Sequence, residues 1–204
     1  MDTSLFPTKS NLMLAKNSLR LSKHGYELLD KKRNVLIREM MELIDEAKSV
    51  QSRIDETFAT AYKKLSVANI TMGSKNVEQV ANSIKIDNSI KVVTHSVMGV
   101  EVPKVVAAEG DNSIPYGAYS TNQALDEAYK AFAEVRKLTV ELAEVETAVC
   151  RLAVSIKKTQ KRANSLKNIT IPKYEQTVKD IQSALEEKDR EEFSRLKVIK
   201  KVKS

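Results

Sequence analysis

Small or apolar residues recur along the first third of the chain at Leu12, Ala15, Leu19, Ser22, Tyr26 and Leu29. They continue at Leu36, Met40, Leu43, Ala47, Val50 and Ile54. The intervals alternate three and four, with Arg33 as the one charged member of the series. A mean period of about 3.5 keeps a single stripe turned toward a neighbouring helix along its length, which predicts a coiled coil. After Ile54 the series goes on one residue late as Phe58, Ala61, Leu65 and Ala68, as a local stutter would produce. Gly25 is the one glycine in this stretch and no proline lies between Pro7 and Gly73, so nothing breaks it. One helix from about Ser10 to Thr71 is expected, roughly 90 Å long at 1.5 Å per residue. Thr8 or Ser10 suits its N-cap and Gly73 its C-terminal cap.

A second seam begins after Ser120, where Ser120 and Gln123 have the spacing of a capping box. It reads Leu125, Ala128, Phe132, Val135, Leu138, Leu142, Val145, Val149, Leu152, Ile156, Thr159, Ala163 and Leu166. Pro172 then predicts a kink or slip, because it lacks an amide proton and crowds the preceding turn. The pattern resumes at Val178, Ile181 and Leu185 and ends in a basic tail. Between the seams lies a stretch of different composition that holds four of the five glycines. Within it, Ile90–Val97 and Val100–Val106 are β-branched runs flanking Met98-Gly99, which predicts a β-hairpin with Pro103 at an edge position.

The expected fold is therefore mainly α, a long antiparallel two-helix coiled coil with a small middle insert containing a β-hairpin. The expected divisions are 1–72 for the first helix, 73–119 for the insert and 120–204 for the second helix and basic tail. If Leu65 lies near Leu125, Arg33 is level with Lys157 and Leu12 with Val178. That register gathers Lys31, Lys32 and Arg33 with Lys157, Lys158, Lys161 and Arg162 into a basic collar. Like charges at one height repel, and an acidic surface around them would relieve the repulsion; a plain solvated face is the blander reading.

Composition excludes more than it assigns. The chain has 204 residues, no Trp, 5% aromatics and 30% charged residues, which suits long solvated helices better than a compact catalytic core. A net charge of +7 is compatible with nucleic acid, an anionic membrane or an acidic protein surface. Cys150 is the only cysteine, so no internal disulfide is possible, and beside Val149 it is expected to be a small buried thiol. His24 and His95 lie in different regions with no metal-ligand pair beside either. Glu144 and Glu146 read as solvated acids, and no Gly-rich phosphate loop occurs. No run approaches membrane-spanning length and the N-terminus lacks a signal-peptide core, so a soluble or peripheral chain is expected, with no enzyme activity, cofactor or bound nucleotide.

Three ordered motifs add a family. Pro7-Thr8-Lys9-Ser10-Asn11-Leu12 with Leu28-Leu29-Asp30-Lys31-Lys32-Arg33, then Ser96-Val97-Met98-Gly99-Val100-Glu101-Val102-Pro103, then Lys161-Arg162-Ala163-Asn164-Ser165-Leu166 before Ile171-Pro172, resemble the D subunit of the V-type and A-type rotary ATPases. The family's last motif usually reads Arg-Val-Asn-Ala-Leu-Glu, so Ala163, Ser165 and Lys167 depart from it, the last making the surface more basic.

The resemblance implies a non-catalytic central-stalk rotor shaft, cytoplasmic and peripheral to the membrane. It would carry torque between ATP hydrolysis or synthesis in a ring of catalytic and nucleotide-binding subunits and translocation of H⁺ or Na⁺ in the membrane sector. Its partners would be that ring, the small central-stalk F subunit and a further stalk protein linking to the membrane rotor. The collar would then face the ring. The shaft seam would comprise Leu12, Leu19, Tyr26, Leu29, Leu36, Met40, Leu43, Val50, Ile54, Val149, Leu152, Ile156 and Leu166. The F subunit would sit low on the shaft near Thr57, Tyr62, Leu125 and Phe132, and Val97, Met98, Gly99, Val100 and Pro103 would form a projecting hairpin. A generic coiled-coil scaffold explains the heptads but not the three motifs. A basic nucleic-acid-binding arm is the third reading, although aromatic residues are not interleaved with the basic patches and acids share the same helices.

Overall fold

The computed structural model describes residues 6–84, 90–107, 115–117, 119 and 121–203. Its elements are α1 (Lys9–Met72), α2 (Ser74–Ser83), β1 (Ile90–Val97), β2 (Val100–Ala107), α3 (Gln123–Ser165), a π-helical turn (Leu166–Thr170) and α4 (Ile171–Lys203). They fall into two compact units, one of Leu36–Ser155 and the other of Met1–Val35 with Ile156–Ser204.

Helix α1 starts and stops where its end chemistry dictates. The Thr8 hydroxyl oxygen accepts from the Asn11 amide at 3.2 Å, satisfying a first-turn donor. Gly73, at φ 85°, ends the helix while its amide still donates to the Asn69 carbonyl at 3.0 Å. The Ser120 cap expected for the second helix lies outside the described residues. At the start of α3 the Asn122 carbonyl accepts from the Leu125 and Asp126 amides.

In the Leu36–Ser155 unit, α1 and α3 pack antiparallel. Val50 and Ile54 cluster with Leu138, Ala61 with Ala131 and Val135, and Ala68 with Leu125, so rising numbers on one helix meet falling numbers on the other. Helix α2 is absent from the expected elements. Its ten residues offer few large apolar positions, Val77 and Val80, too few to set a period, and Val77 closes over Ala68 and Leu125. Tyr116 joins the same cluster and donates its hydroxyl to Asp126 at 2.8 Å. Burial, and then that bond, hold its phenol well above the ordinary tyrosine range.

In the other unit, Arg33 donates to Gln160 at 2.7 Å and Gly25 lies against Leu166, which puts the facing positions within a turn of the expected register. The slip expected at Pro172 is the π-helical turn, in which the Ile171 amide donates to Leu166, five residues back. The wider turn directly precedes Pro172, whose ring and missing amide proton disfavour a regular α turn there.

The hairpin is antiparallel, with Val97 opposite Val100 and Thr94 opposite Pro103. Met98 and Gly99 both have positive φ, 51° and 76°, as a type I′ turn demands. It lies along α3: the Val105 amide donates to Glu144 Oε2 at 2.8 Å and Arg151 donates to the Glu101 carbonyl at 3.0 Å.

Two substitutions test this packing. Leu152 is fully covered, so Leu152→Ala is expected to lower unfolding free energy by about 2–5 kcal/mol in denaturant titrations. A methyl group on Gly25 would meet Leu166 at 3.7 Å, an ordinary contact, so Gly25→Ala is expected to raise stability by roughly 0.5–1 kcal/mol through helix propensity. A loss of stability there would contradict the packing described.

Candidate functional site

The seam residues inferred from the period are all buried or half-buried. Leu36, Val50, Ile54 and Leu152 are buried, while Leu12, Leu19, Tyr26, Leu29, Met40, Leu43, Val149, Ile156 and Leu166 are partly covered. On the opposite side of α1, off the period, Leu14, Leu21 and Leu28 are 61%, 74% and 67% exposed. Spacing, rather than hydrophobicity alone, selects the inner face.

The basic collar falls within one unit, but its seven members differ. Arg33 is turned inward, pairing with Asp30 at 2.8 Å and donating to Gln160, whose amide donates onward to Asn164 at 2.8 Å. Its charge is met by Asp30 on its own helix, while its bond to Gln160 ties helix to helix. Lys31, Lys157, Lys158, Lys161 and Arg162 are exposed and Lys32 is half-buried; among the described residues none of these six makes an ion pair. Lys167, one of the departures from the family motif, reaches over the Tyr26 ring at 5.8 Å from its centroid.

Of the four residues expected on a companion surface, two share one patch. Tyr62, 57% exposed, packs between Phe58 at 5.9 Å and Phe132, edge to face at 5.6 Å, while Thr57 is half-buried and bonds the Arg53 carbonyl. Leu125 does not belong there, because Val77 of α2 covers it and leaves it 7% exposed. In the hairpin, Met98 and Gly99 are exposed, Val97 and Val100 half-buried and Pro103 buried.

Other expectations are corrected. Cys150 is exposed, because the side of α3 one residue past Val149 turns away from the seam. Glu144 is half-buried and bound to the hairpin, whereas Glu146 is solvated as expected. Glu144 and Arg151 stand two helical turns apart on one face of α3, and that spacing was the only available signal of the hairpin's seat. Among the described residues no three His, Cys, Asp or Glu side chains gather as a metal site, and no helix is long and apolar enough to cross a membrane.

The family model for the ATP synthase D subunit matches residues 11–201. The chain belongs to this family. It is 45% identical to the V-type ATP synthase D subunit of Thermotoga neapolitana, over 97% of each chain. It is 36% identical to the A-type ATP synthase D subunit of Methanosphaera stadtmanae, over 96% of this chain and 92% of that one. The A-type ATP synthase D subunit of Methanobrevibacter smithii is 38% identical over 95% and 85%. Family membership thus extends over nearly the whole chain and includes both helical units and the hairpin.

One ion pair gives a pH-dependent check. Lys23 bonds Glu175 at 2.7 Å, and that bond, with the lysine charge, holds the carboxyl below its ordinary range. Its contribution is present above the ordinary carboxylate range and is lost as pH falls through the depressed pKa. Lys23→Met is expected to move the Glu175 titration upward by NMR; an unmoved midpoint would mean the pair does not form in solution.

Proposed function

We propose that this chain is the non-catalytic central rotor shaft of a V/A-type rotary ATPase. It transmits torque between ATP hydrolysis or synthesis in a catalytic ring and ion translocation in the membrane sector. The observation that carries the reading is family membership over residues 11–201, joined to a helix α1 that runs unbroken for 64 residues. An axle has to resist twisting, and a packed helix pair with few glycines does so with little mass. Its partners are the alternating catalytic and nucleotide-binding subunits, the small F subunit and the stalk protein that leads to the membrane rotor. The chain acts on the cytoplasmic side, held to the membrane through those partners.

The members of the collar other than Arg33 form the surface that faces the ring. Flexible lysine side chains give attraction of low directionality, which survives rotation past successive faces better than bidentate pairs do. Thr57, Tyr62 and Phe132 supply the surface for the F subunit, where an exposed tyrosine among aromatic neighbours is a common anchor.

Recovery of the tagged full chain from its native extract tests this reading. Large nucleotide-binding subunits and a small companion should co-elute; nucleic acid, or one unrelated partner, would overturn it. The triple variant Lys32→Glu, Lys158→Glu, Arg162→Glu is expected to weaken association with the ring about tenfold or more at low salt, and less as salt rises. Unchanged association would remove the collar from the account. A polar residue at Leu43 or Leu152 is expected to loosen the shaft and lower ion transport per ATP hydrolysed, read by measuring both in reconstituted vesicles.

A further inference from the structure

The two edges of the hairpin are treated differently. Across a two-residue turn the flanking Val97 and Val100 form the closing hydrogen-bonded pair, and bonded pairs then alternate along the ladder. Glu101, Pro103 and Val105 therefore turn their backbone groups away from β1. At each of the three one group is taken up or missing: Arg151 holds the Glu101 carbonyl, Pro103 has no amide proton, and Glu144 holds the Val105 amide. Side chains of α3 thus occupy the β2 edge at two points.

On β1 the corresponding outward groups belong to Val92, Thr94 and Ser96. Among the described residues nothing pairs with them, and the strand is exposed from Ile90 to Ser96. No proline, bulge or covering element among the described residues protects this edge, and Lys91 is its one charged side chain. The strand is eight residues long and rich in β-branched side chains, with Val92 and Val93 62% and 53% exposed. Lys91, Val93 and His95 share one face, and Lys104 stands directly opposite Val93 on that same face. Glu101, opposite Ser96, lies on the other face. The lysine-bearing face has no acid among the described hairpin residues, so a strand laid beside β1 would meet uncompensated positive charge.

We propose that the open edge of β1 is a strand-addition site for an extended, acid-bearing segment of another protein of the same complex. The segment's backbone bonds the outward groups of Val92, Thr94 and Ser96, and an acidic side chain lies against Lys91. That the partner belongs to the ATPase rests on the proposed function. Recovery of the complex tests that function, and what happens to these amides inside the recovered complex tests the site.

The experiment is residue-resolved hydrogen exchange on the full chain, free and in the assembled complex. The amides of Val92, Thr94 and Ser96 are expected to exchange freely in the free chain and at least tenfold more slowly in the complex. The inward amides of Val93 and His95 stay protected in both. Thr94→Pro removes one outward donor at the position that faces Pro103, where the β1–β2 bonds are untouched, and should abolish the added protection at Val92 and Ser96. Should that variant unfold the hairpin, seen as lost protection at Val93, Lys91→Glu decides: protection in the complex should fall several-fold. Equal exchange in free and assembled chain would overturn the proposal. So would protection unaffected by both variants, or protection in the free chain that grows with its concentration, which would make the occupant a second copy.

Discussion

The contact between α1 and α3 includes buried side chains that barely extend from the backbone. Ala61 and Ala68 on α1 and Ala128, Ala131 and Ala148 on α3 are at most 7% exposed, and Leu36 and Leu152 are fully covered. Small residues let two helices come near enough for the larger ones to fill the remaining space, and burial of that apolar surface supplies most of the stability. The hairpin and α2 are seated on surfaces that this contact makes. Val77 needs the Ala68–Leu125 junction beneath it, and Glu144 and Arg151 need α3 held straight to present two bonds to one strand. The Arg33–Gln160–Asn164 chain of bonds adds register to adhesion, since a polar link across an apolar seam can be satisfied in only one alignment.

What the helices leave uncovered is as informative as what they bury. Leu14, Leu21 and Leu28 repeat every seven residues on the outer side of α1, and Phe193, Leu196 and Val202 on α4 are 70%, 65% and 81% exposed. Scattered surface apolar residues are ordinary, but a repeat with heptad spacing is a ridge. Under the proposed function these positions fall to the surrounding subunits. The exposed lysines at the level of Arg33 would then act on the same neighbours by charge.

Periodicity made the helix pair legible, because a coiled coil writes one decision into every third or fourth position over dozens of residues. Met98-Gly99 between β-branched runs announced the hairpin for a comparable reason: a tight turn tolerates few residue types. Helix α2 was hidden by its length, since ten residues hold too few apolar positions to define a face. Where the hairpin rests was hidden as well. It depends on two bonds to backbone groups, Glu144 to Val105 and Arg151 to Glu101, and backbone partners leave no mark on composition. Arg33 looked like one of seven surface cations because sequence gives height along a helix better than it gives the direction in which a long side chain folds. Leu125 reads as a surface position in the sequence because α2, the element that covers it, leaves no periodic signal.

The central claim is that this chain turns. A bead fixed to it in an immobilised, assembled complex, watched while ATP is supplied, tests that most directly. Stepwise rotation in one sense that starts with ATP and stops when it is exhausted is the predicted result. Continued ATP hydrolysis with the bead stationary would contradict the account.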